Sequence, residues 1–226
     1  VRGTGNLAQL ELFSSGKVYV QDPSARLAAM AAGAEPGMRV LDCCAAPGGK
    51  SFAAAIAMQN EGSVTSCDIH AHKVSLIEKG AARLGVSIVH ARQADASQFE
   101  PEFEAGFDVV IADVPCSGLG VIRKKPDIRY KDLAPMQKLP QVQAAILENV
   151  SRYVKPGGVL VYSTCTVLKR ENENVANAFL ARHPEFRLEV FALPAELDAQ
   201  TDGMLTLYPH LHEADGFFIC KLRKNV

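Results

Sequence analysis

The sequence has no apolar run that approaches the roughly 18 residues needed for a membrane-spanning helix. It also has no marked excess of either charge, because 24 lysines and arginines face 25 acidic residues, for a net charge of −1. A protein that holds nucleic acid by bulk charge is usually strongly basic. These absences argue against a membrane protein, and they require any nucleic-acid surface to be local.

The sequence also lacks the CxxC pairs that are typical of zinc sites, so no metal is expected. Its six cysteines are Cys43, Cys44, Cys67, Cys116, Cys165 and Cys220. With 226 residues, of which 48% are hydrophobic, the chain is large and apolar enough to fold without a disulfide framework. We therefore expect reduced thiols and a cytoplasmic protein.

Neither an internal repeat nor a linker rich in proline, glycine or serine divides the chain. It begins at Val1 rather than at methionine, and it carries no charged-then-apolar leader. We therefore expect a monomeric domain of a longer protein, without a signal peptide. The expected organisation is an N-terminal extension, residues 1–36, that packs on one larger domain, residues 37–226.

From about residue 38 onward, short apolar runs alternate with helix-prone segments. The predicted strands are Met38–Cys43, Ser63–Asp68, Val86–His90, Phe107–Asp113, Val159–Ser163 and Gly216–Leu222. The predicted helices between them are Ser51–Gln59, Ala71–Leu84, Val142–Val154 and Glu171–Arg182. The weaker candidates are a strand at Val18–Val20, a helix at Ser24–Ala32 and an alternating segment at Phe186–Phe191. The alternation predicts an α/β fold with a mostly parallel sheet, whose binding sites lie at the carboxyl ends of the strands.

A turn of small residues, Cys44–Lys50, follows the first predicted strand and opens a helix. Small residues let backbone N–H groups approach a ligand closely. The turn matches neither the GxGxxG dinucleotide motif nor the phosphate-binding P-loop. A bound phosphate is therefore only weakly indicated.

Three aspartates follow the second, third and fourth predicted strands. Asp68 comes nineteen residues after Gly49, the spacing typical of a carboxylate that binds ribose hydroxyls. Asp95 is placed to reach an adenine edge, and Asp113 to hold an ammonium group. Such acceptors without a phosphate cradle favour S-adenosylmethionine over NAD. The alternative for each aspartate is a helix N-cap or a solvated strand end.

Two cysteines, Cys116 and Cys165, lie in polar loops directly after the fourth and fifth predicted strands. A lone cysteine is usually a small buried hydrophobe, but these two loops would face one pocket. A thiolate can add to carbon 6 of a cytosine and so make carbon 5 nucleophilic, which is covalent catalysis. Lys50 is a candidate for the cation that would stabilise the thiolate. The residues alone do not choose between the two thiols.

At these residues the sequence resembles the Sun/Fmu family of RNA cytosine-5 methyltransferases, and in particular its bacterial RsmB-type rRNA enzymes. The resemblance covers roughly residues 11–224. The matching pieces are Gln21-Asp22, DCCAAPGGKS (42–51), Asp68, Ala94-Asp95-Ala96, DVPCSGLGVIRKKPDIRY (113–130), Pro-Gly-Gly with STCT (156–166), Glu171-Asn172-Glu173-Asn174 and DGFFICKLRK (215–224). Ser51 stands where the family usually has threonine, and Thr166 where it usually has serine.

The resemblance implies the Rossmann-like, doubly wound and mostly parallel seven-stranded sheet of a class I S-adenosylmethionine-dependent methyltransferase. The turn residues that it places at the cofactor are Cys44, Ala45, Ala46, Pro47, Gly48, Gly49 and Lys50. It implies that Asp68 binds the ribose, that Asp95 lies near the adenine, and that Asp113 lies near the methionine amine or the target base. It also implies that Cys165 is the nucleophile and that Cys116 assists release of the methylated product.

The expected substrate is a cytosine in RNA, with small-subunit ribosomal RNA favoured and tRNA as an alternative. The segment Arg123–Lys131 has five cations and one acid, a local charge of +4. Its candidate RNA-binding residues are Arg123, Lys124, Lys125 and Arg129, and the alternative is an ordinary solvated loop. The rival functions are an NAD(P)-dependent oxidoreductase, a non-catalytic RNA-binding or assembly factor, and a methyltransferase acting on tRNA or protein.

Overall fold

The computed structural model describes residues 6–130, 132, 134–195, 197 and 201–226. The strands in this part of the chain are β1 (Arg39–Asp42), β2 (Ser63–Asp68), β3 (Val89–Gln93), β4 (Phe107–Asp113), β5 (Val154–Thr164), β6 (Phe186–Leu188), β7 (Met204–Leu207) and β8 (Phe217–Lys224). The α-helices are α1 (Glu11–Ser14), α2 (Pro23–Ala32), α3 (Gly49–Ala57), α4 (Ala71–Leu84), α5 (Leu139–Ser151), α6 (Glu173–Leu180) and α7 (Pro209–His212).

The described strands form one mixed sheet in the order β3-β2-β1-β4-β5-β8-β6. The first five pair in parallel, whereas β8 runs antiparallel to β5. Both β6 and β7 pair with β8, so that two short strands share one edge. The predicted Rossmann-like, doubly wound and mostly parallel sheet is confirmed, and β7 adds an eighth strand to the seven of the main path.

The register of the central strands brings the predicted site residues to one edge of the sheet. Asp42 of β1 is paired with Ser66 of β2 and Ile111 of β4, and Asp113 of β4 is paired with Ser163 of β5. Because parallel strands end at the same edge, the loops after β1, β2, β4 and β5 emerge side by side.

Apolar side chains cover both faces of this sheet. On one face, Leu27, Phe52 and Ile77 from α2, α3 and α4 belong to one buried cluster. On the other face, Leu147 of α5 and Phe179 of α6 belong to a second cluster. Since α2 lies in the predicted N-terminal extension, the described part of that extension shares a core with the sheet. No helix among the described residues is long and apolar enough to cross a membrane.

The third strand begins later than its predicted range of Val86–His90. Helix α4 ends at Leu84 and is capped by Gly85, which has a φ of 67°. The N–H of Val86 donates to the carbonyl of Ala81 at 3.1 Å. Residues at the start of the predicted strand therefore complete the end of the helix. Their buried side chains produced the apolar pattern that the prediction interpreted as a strand.

The fifth strand is longer than predicted, and the helix before it begins and ends earlier. The pairing of β5 with β4 skips residues 155–158, which include Pro156 and two glycines. Those residues form an irregularity within β5. The sequence pattern had predicted that the same residues separate the preceding helix from the strand. A turn signal cannot by itself distinguish a bulge from a connection between elements.

Two weaker predictions also need correction. Val18–Val20 forms no strand. The carbonyl of Val18 accepts a hydrogen bond from Arg83 at 3.0 Å, so a side chain rather than a sheet edge holds this backbone. Only the first part of Phe186–Phe191 is a strand, β6. Strand β7 was not predicted because its four residues give too short a pattern.

Candidate active site

The turn predicted to bind the cofactor lies between β1 and α3. The N–H of Ala45 donates to the carbonyl of Cys67 at 2.7 Å, which ties the turn to β2. Gly48 has a φ of 110°, and a Cβ there would lie 2.3 Å from the ring of Phe52. Glycine is therefore required at this position. Because Gly48 has no capping side chain, the first N–H groups of α3 are left for other acceptors.

A cavity of about 210 Å³ opens beside this turn. Besides turn residues, its walls include Asp42, Asp113 and Gln21. Two of these carry buried polar atoms without a partner, Oδ1 of Asp42 and Nε2 of Gln21. With Asp22, which also lines it, the cavity has three carboxylates beside a small-residue turn. This fits the amino-acid end of S-adenosylmethionine, whose ammonium group needs acceptors. Asp42 and Gln21 both belong to segments that carry the family resemblance, and Asp42 lies at the end of the first predicted strand, but the sequence assigned neither of them a role at the site.

Asp42 is fully buried, and burial raises its pKa from 3.8 to about 6 despite the opposing charge of Lys50. The hydroxyl of Ser51 donates to Oδ2 of Asp42 at 2.7 Å, and the hydroxyl of Ser66 donates to Ser51 at 2.8 Å. This chain of hydrogen bonds joins β2, α3 and β1 beneath the turn. It gives Ser51, one of the departures from the usual family pattern, a defined structural contact.

The two aspartates predicted to bind ribose and adenine both make local contacts. Asp68 accepts a hydrogen bond from the N–H of His70 at 3.0 Å and lies 3.9 Å from the ammonium of Lys73. Asp95 accepts from the N–H and the hydroxyl of Ser97, at 2.9 and 2.7 Å. These contacts fix both carboxylates at the carboxyl edge of the sheet. Asp68 is neither a helix N-cap nor a solvated strand end, because His70 is the N-cap of α4 and Asp68 itself is buried. Local contacts of this kind do not show cofactor binding, so the cofactor roles stay predictions.

Lys50 and Asp113 form a largely buried ion pair, with Nζ 2.5 Å from Oδ2. The hydroxyl of Ser163 donates to the other carboxylate oxygen at 2.7 Å. Burial alone would lower the pKa of Lys50, but the Asp113 carboxylate raises it and keeps the ammonium protonated. The ammonium also lies 5.3 Å from the centre of the Phe217 ring. The structure thus brings Lys50 and Asp113 together and adds Ser163, which was not predicted.

Cys116 and Cys165 lie in the loops that follow the neighbouring strands β4 and β5, with their Sγ atoms 3.1 Å apart. The N–H of Gly120 donates to the carbonyl of Cys165 at 3.0 Å. A Cβ at Gly120 would lie 1.8 Å from the carbonyl oxygen of Gly216, so only glycine allows this approach. The two loops therefore lie against one another, and the two thiols are in contact. That they face one substrate pocket stays a prediction.

Among the six cysteines, all of which are described, Cys165 alone has a lowered pKa. The hydrogen bond between the two thiols lowers it, and Lys50 contributes, while burial and Asp113 oppose them. The same hydrogen bond, together with burial, raises the pKa of Cys116. Burial raises the pKa of the remaining thiols, which are Cys43, Cys44, Cys67 and Cys220. The arrangement therefore favours a thiolate at Cys165 and a neutral thiol at Cys116.

Lys124, a predicted RNA-binding residue, is held by two carboxylates of the protein. Its ammonium contacts Asp22 and lies 2.9 Å from Oδ2 of Asp215. Burial alone would raise the pKa of Asp22, but the bonds from Lys124 and Ser24 lower it to about 2. The charge of Lys124 is thus compensated within the fold, which makes it a weaker candidate for a phosphate contact than its neighbours.

The other predicted RNA-binding residues are exposed. Arg123 donates to the carbonyl of Glu213 at 2.7 Å, and Arg129 donates to the carbonyl of Pro126 at 3.1 Å. Lys125 is exposed beside them, and Lys131 lies outside the described residues. The described cations other than Lys124 therefore remain candidates for phosphate contacts.

A family model described as 16S rRNA methyltransferase RsmB/F matches residues 29–223 of the chain. The matched range contains the cofactor turn, the Lys50–Asp113 pair and both cysteine loops. The chain belongs to the RsmB/F family. The match begins at residue 29 and therefore leaves out most of the predicted N-terminal extension, residues 1–36.

Several known proteins are similar to this RsmB/F-family chain. A probable ribosomal RNA small subunit methyltransferase B from Bacillus subtilis is 45% identical over 98% of this chain and 51% of its own length. A ribosomal RNA small subunit methyltransferase F from Erwinia tasmaniensis is 34% identical over 93% of this chain and 45% of its own length. The crystal structure of NSun6 from Pyrococcus horikoshii with SFG, an analogue of S-adenosylmethionine, is 30% identical, with a TM-score of 0.85 over 96% of this chain and 56% of that one.

The chain spans about half the length of the curated relatives that it matches. The comparisons confirm the predicted family, the predicted methyltransferase fold and S-adenosylmethionine as the cofactor of that family. Among the described residues, no group of three or more histidine, cysteine or acidic side chains is placed to hold a metal ion.

Proposed function

We propose that this RsmB/F-family chain transfers a methyl group from S-adenosylmethionine to carbon 5 of a cytosine in RNA, with small-subunit ribosomal RNA as the substrate. The observation that carries the proposal is the contact between two thiols, 3.1 Å apart, beside the Lys50–Asp113 ion pair. A methyltransferase that modifies an exocyclic amine has no need of a thiol, whereas carbon 5 of cytosine requires activation by a nucleophile.

In the proposed reaction, the Cys165 thiolate adds to carbon 6 of the cytosine and forms a carbon–sulfur bond. The electron pair of the former double bond makes carbon 5 nucleophilic, and S-adenosylmethionine supplies the methyl group that carbon 5 attacks. The methyl group leaves the sulfonium without its bonding electron pair, which stays on the cofactor's sulfur. Water then takes up the carbon 5 proton, the double bond is restored, and the electron pair of the breaking carbon–sulfur bond returns to Cys165 as its thiolate. Cys116, whose thiol is protonated, assists this release beside the leaving sulfur.

Lys50 and Asp113 are proposed to act as one unit at the target base. The ammonium stabilises the Cys165 thiolate and the negative charge that develops on the ring, because Lys50 stays protonated beside Asp113. Asp113 is held by Ser163 and by Lys50, so its carboxylate is fixed before a ligand binds. A preformed arrangement of this kind costs little reorganisation during the reaction.

The proposed activity is tested by incubating the chain with methyl-labelled S-adenosylmethionine and unmodified small-subunit rRNA, followed by digestion to nucleosides. Label is expected in 5-methylcytidine. Label in another nucleoside would contradict the proposed role of the thiols. Because the relatives are about twice as long, a parallel reaction with full-length protein and with tRNA separates weak RNA affinity from the wrong substrate class.

The exposed cations near the active site are proposed to bind RNA phosphates. Lys125→Ala is expected to lower the slope of log affinity against log salt concentration by about 1, since each phosphate contact releases counterions. RNA binding measured at several salt concentrations checks this. Lys79→Ala, which removes an exposed charge from α4, is the matched control and should leave the slope unchanged. Equal slopes for both variants would exclude Lys125 from the RNA interface.

A further inference from the structure

A layer of buried polar side chains lies behind the two cysteine loops, and the proposed reaction leaves it without a role. Glu171 and Asn172, adjacent residues just before α6, are both fully buried, and so is Gln143 of α5. Burying a carboxylate or an amide is costly unless hydrogen bonds compensate for the lost water. The partners of these side chains therefore indicate what the layer stabilises.

The first part of the layer holds the loop of Cys116 from both sides. The side-chain amide of Gln143 donates to the carbonyl of Pro115 at 2.9 Å and to Oε2 of Glu171 at 3.0 Å. The same oxygen of Glu171 accepts from the N–H of Ser117 at 2.8 Å. Ser117 is thus fixed by Glu171 directly, and Pro115 is fixed by Gln143, which is itself bound to Glu171.

The second part holds the loop of Cys165 in the same manner. The hydroxyl of Thr164 donates to Oδ1 of Asn172 at 2.6 Å, and Nδ2 of Asn172 donates to the carbonyl of Thr166 at 3.0 Å. The two loops are also joined directly, because the hydroxyl of Ser117 donates to the hydroxyl of Thr166 at 2.8 Å. Both neighbours of Cys165 are therefore fixed through one amide.

We propose that Glu171 and Asn172 are positioning residues that together hold the thiols of Cys116 and Cys165 in hydrogen-bond contact. Because the two residues are consecutive, a single stretch of backbone sets the positions of both loops relative to each other. The inference rests on the proposed function, since it assigns a supporting role to residues behind the proposed nucleophile. Neither side chain is a catalytic residue, because each acts through the cysteine that it positions.

The consequence for reactivity follows from the groups that face Cys165. These titratable groups are Cys116, Asp113 and Lys50. The hydrogen bond with Cys116 and the charge of Lys50 lower the pKa of Cys165, whereas burial and Asp113 raise it. If the loops move apart, the hydrogen bond is lost, and the thiolate then forms only at higher pH. Asn172 carries no charge, so its removal can change this pKa only through geometry.

The test is the pH dependence of Cys165 alkylation by iodoacetamide, measured by peptide mass spectrometry, which requires no RNA. Asn172→Ala and Glu171→Ala are expected to move the midpoint of alkylation to higher pH. They are also expected to lower kcat for methyl transfer by about 100-fold, the usual cost of a misplacement near 1 Å. KM should change by less than about threefold, since neither residue lines the cavity.

Conservative variants separate positioning from a general loss of folding. Glu171→Gln keeps an oxygen that can accept from the N–H of Ser117, so it should retain most activity and an alkylation midpoint near that of the wild type. Asn172→Leu keeps a similar volume and adds no charge but makes neither hydrogen bond, so it should behave like Asn172→Ala. Asn174→Ala, an exposed asparagine of α6, is the matched control and should change neither measurement.

Thermal unfolding and binding of a non-reactive S-adenosylmethionine analogue identify the variants that remain folded. The inference is overturned if folded Asn172→Leu or Asn172→Ala protein keeps the wild-type alkylation profile and a kcat within about threefold. Failure of the wild type to methylate cytosine would overturn the proposed function instead. The alkylation profiles would still decide whether Glu171 and Asn172 hold the two thiols together.

Discussion

Replacing Cys165 with alanine is expected to abolish methyl transfer to RNA and to leave cofactor binding within about twofold of the wild type. Cys165 is the cysteine with the lowered pKa, and its thiol lies next to Cys116 and near Lys50. Without the thiolate, carbon 5 of the base has no activating nucleophile, so all later steps fail. Single-turnover methylation with labelled cofactor, together with calorimetric cofactor binding, measures both expectations.

A matched control shows whether the loss comes from the nucleophile or from removing any buried thiol. Cys220→Ala takes a fully buried cysteine from the middle of β8, away from both cysteine loops. Its expected effect is a loss of stability of about 1 kcal/mol with methylation retained. A Cys165→Ala protein that still methylates cytosine at the wild-type rate would exclude Cys165 as the nucleophile and favour Cys116.

Replacing Cys116 with alanine is expected to trap the protein on its RNA. In the proposed reaction Cys116 assists release of the methylated product, so its loss slows elimination more than addition. A covalent protein–RNA complex should then accumulate and survive denaturing electrophoresis. Single-turnover analysis should find methyl transfer retained in the first turnover and multiple turnover lowered by at least about 100-fold.

The Cys116→Ala variant also has an expected pH dependence. The hydrogen bond with Cys116 is the main cause of the lowered pKa of Cys165, so removing it raises that pKa. Trapping should therefore require higher pH than wild-type turnover does. The double variant Cys116→Ala/Cys165→Ala should form no adduct. An adduct that persists in the double variant, or its absence from Cys116→Ala at every pH, would contradict the assigned roles.

The parts of the fold that the sequence predicted well are those governed by local pattern. The strand β4, with its apolar β-branched run, and the small-residue turn after β1 were predicted correctly. Both signals are contained within a few consecutive residues. The predicted bounds of β3 were displaced because the buried residues that follow α4 resemble the start of a strand. The predicted bounds of β5 were displaced because its glycine-containing bulge resembles a helix stop. Strand β7 is only four residues long and depends on β8 for its pairing partner.

At the candidate site too, some features were predictable from local sequence and others depend on contacts between distant segments. The sequence placed Cys116 and Cys165 at adjacent strand ends, but it could not choose between two thiols of the same chemistry. The structure favours ionisation of Cys165, because pKa values depend on neighbours in space, here Cys116 and Lys50. Likewise, the charge pattern indicated Lys124 as an RNA-binding residue, whereas its carboxylate partners lie 102 and 91 residues away in the chain.

The sequence by itself determined the family, the alternating α/β architecture and the residue types that meet at the carboxyl edge of the sheet. These follow from motifs and periodicities contained within short segments. Only the tertiary structure shows that the two thiols are in contact beside Lys50, that two carboxylates compensate the charge of Lys124, and that Glu171 and Asn172 contact the cysteine loops. The physical reason is that desolvation, ion pairing and hydrogen bonding between distant segments depend on distances that exist only after the chain has folded.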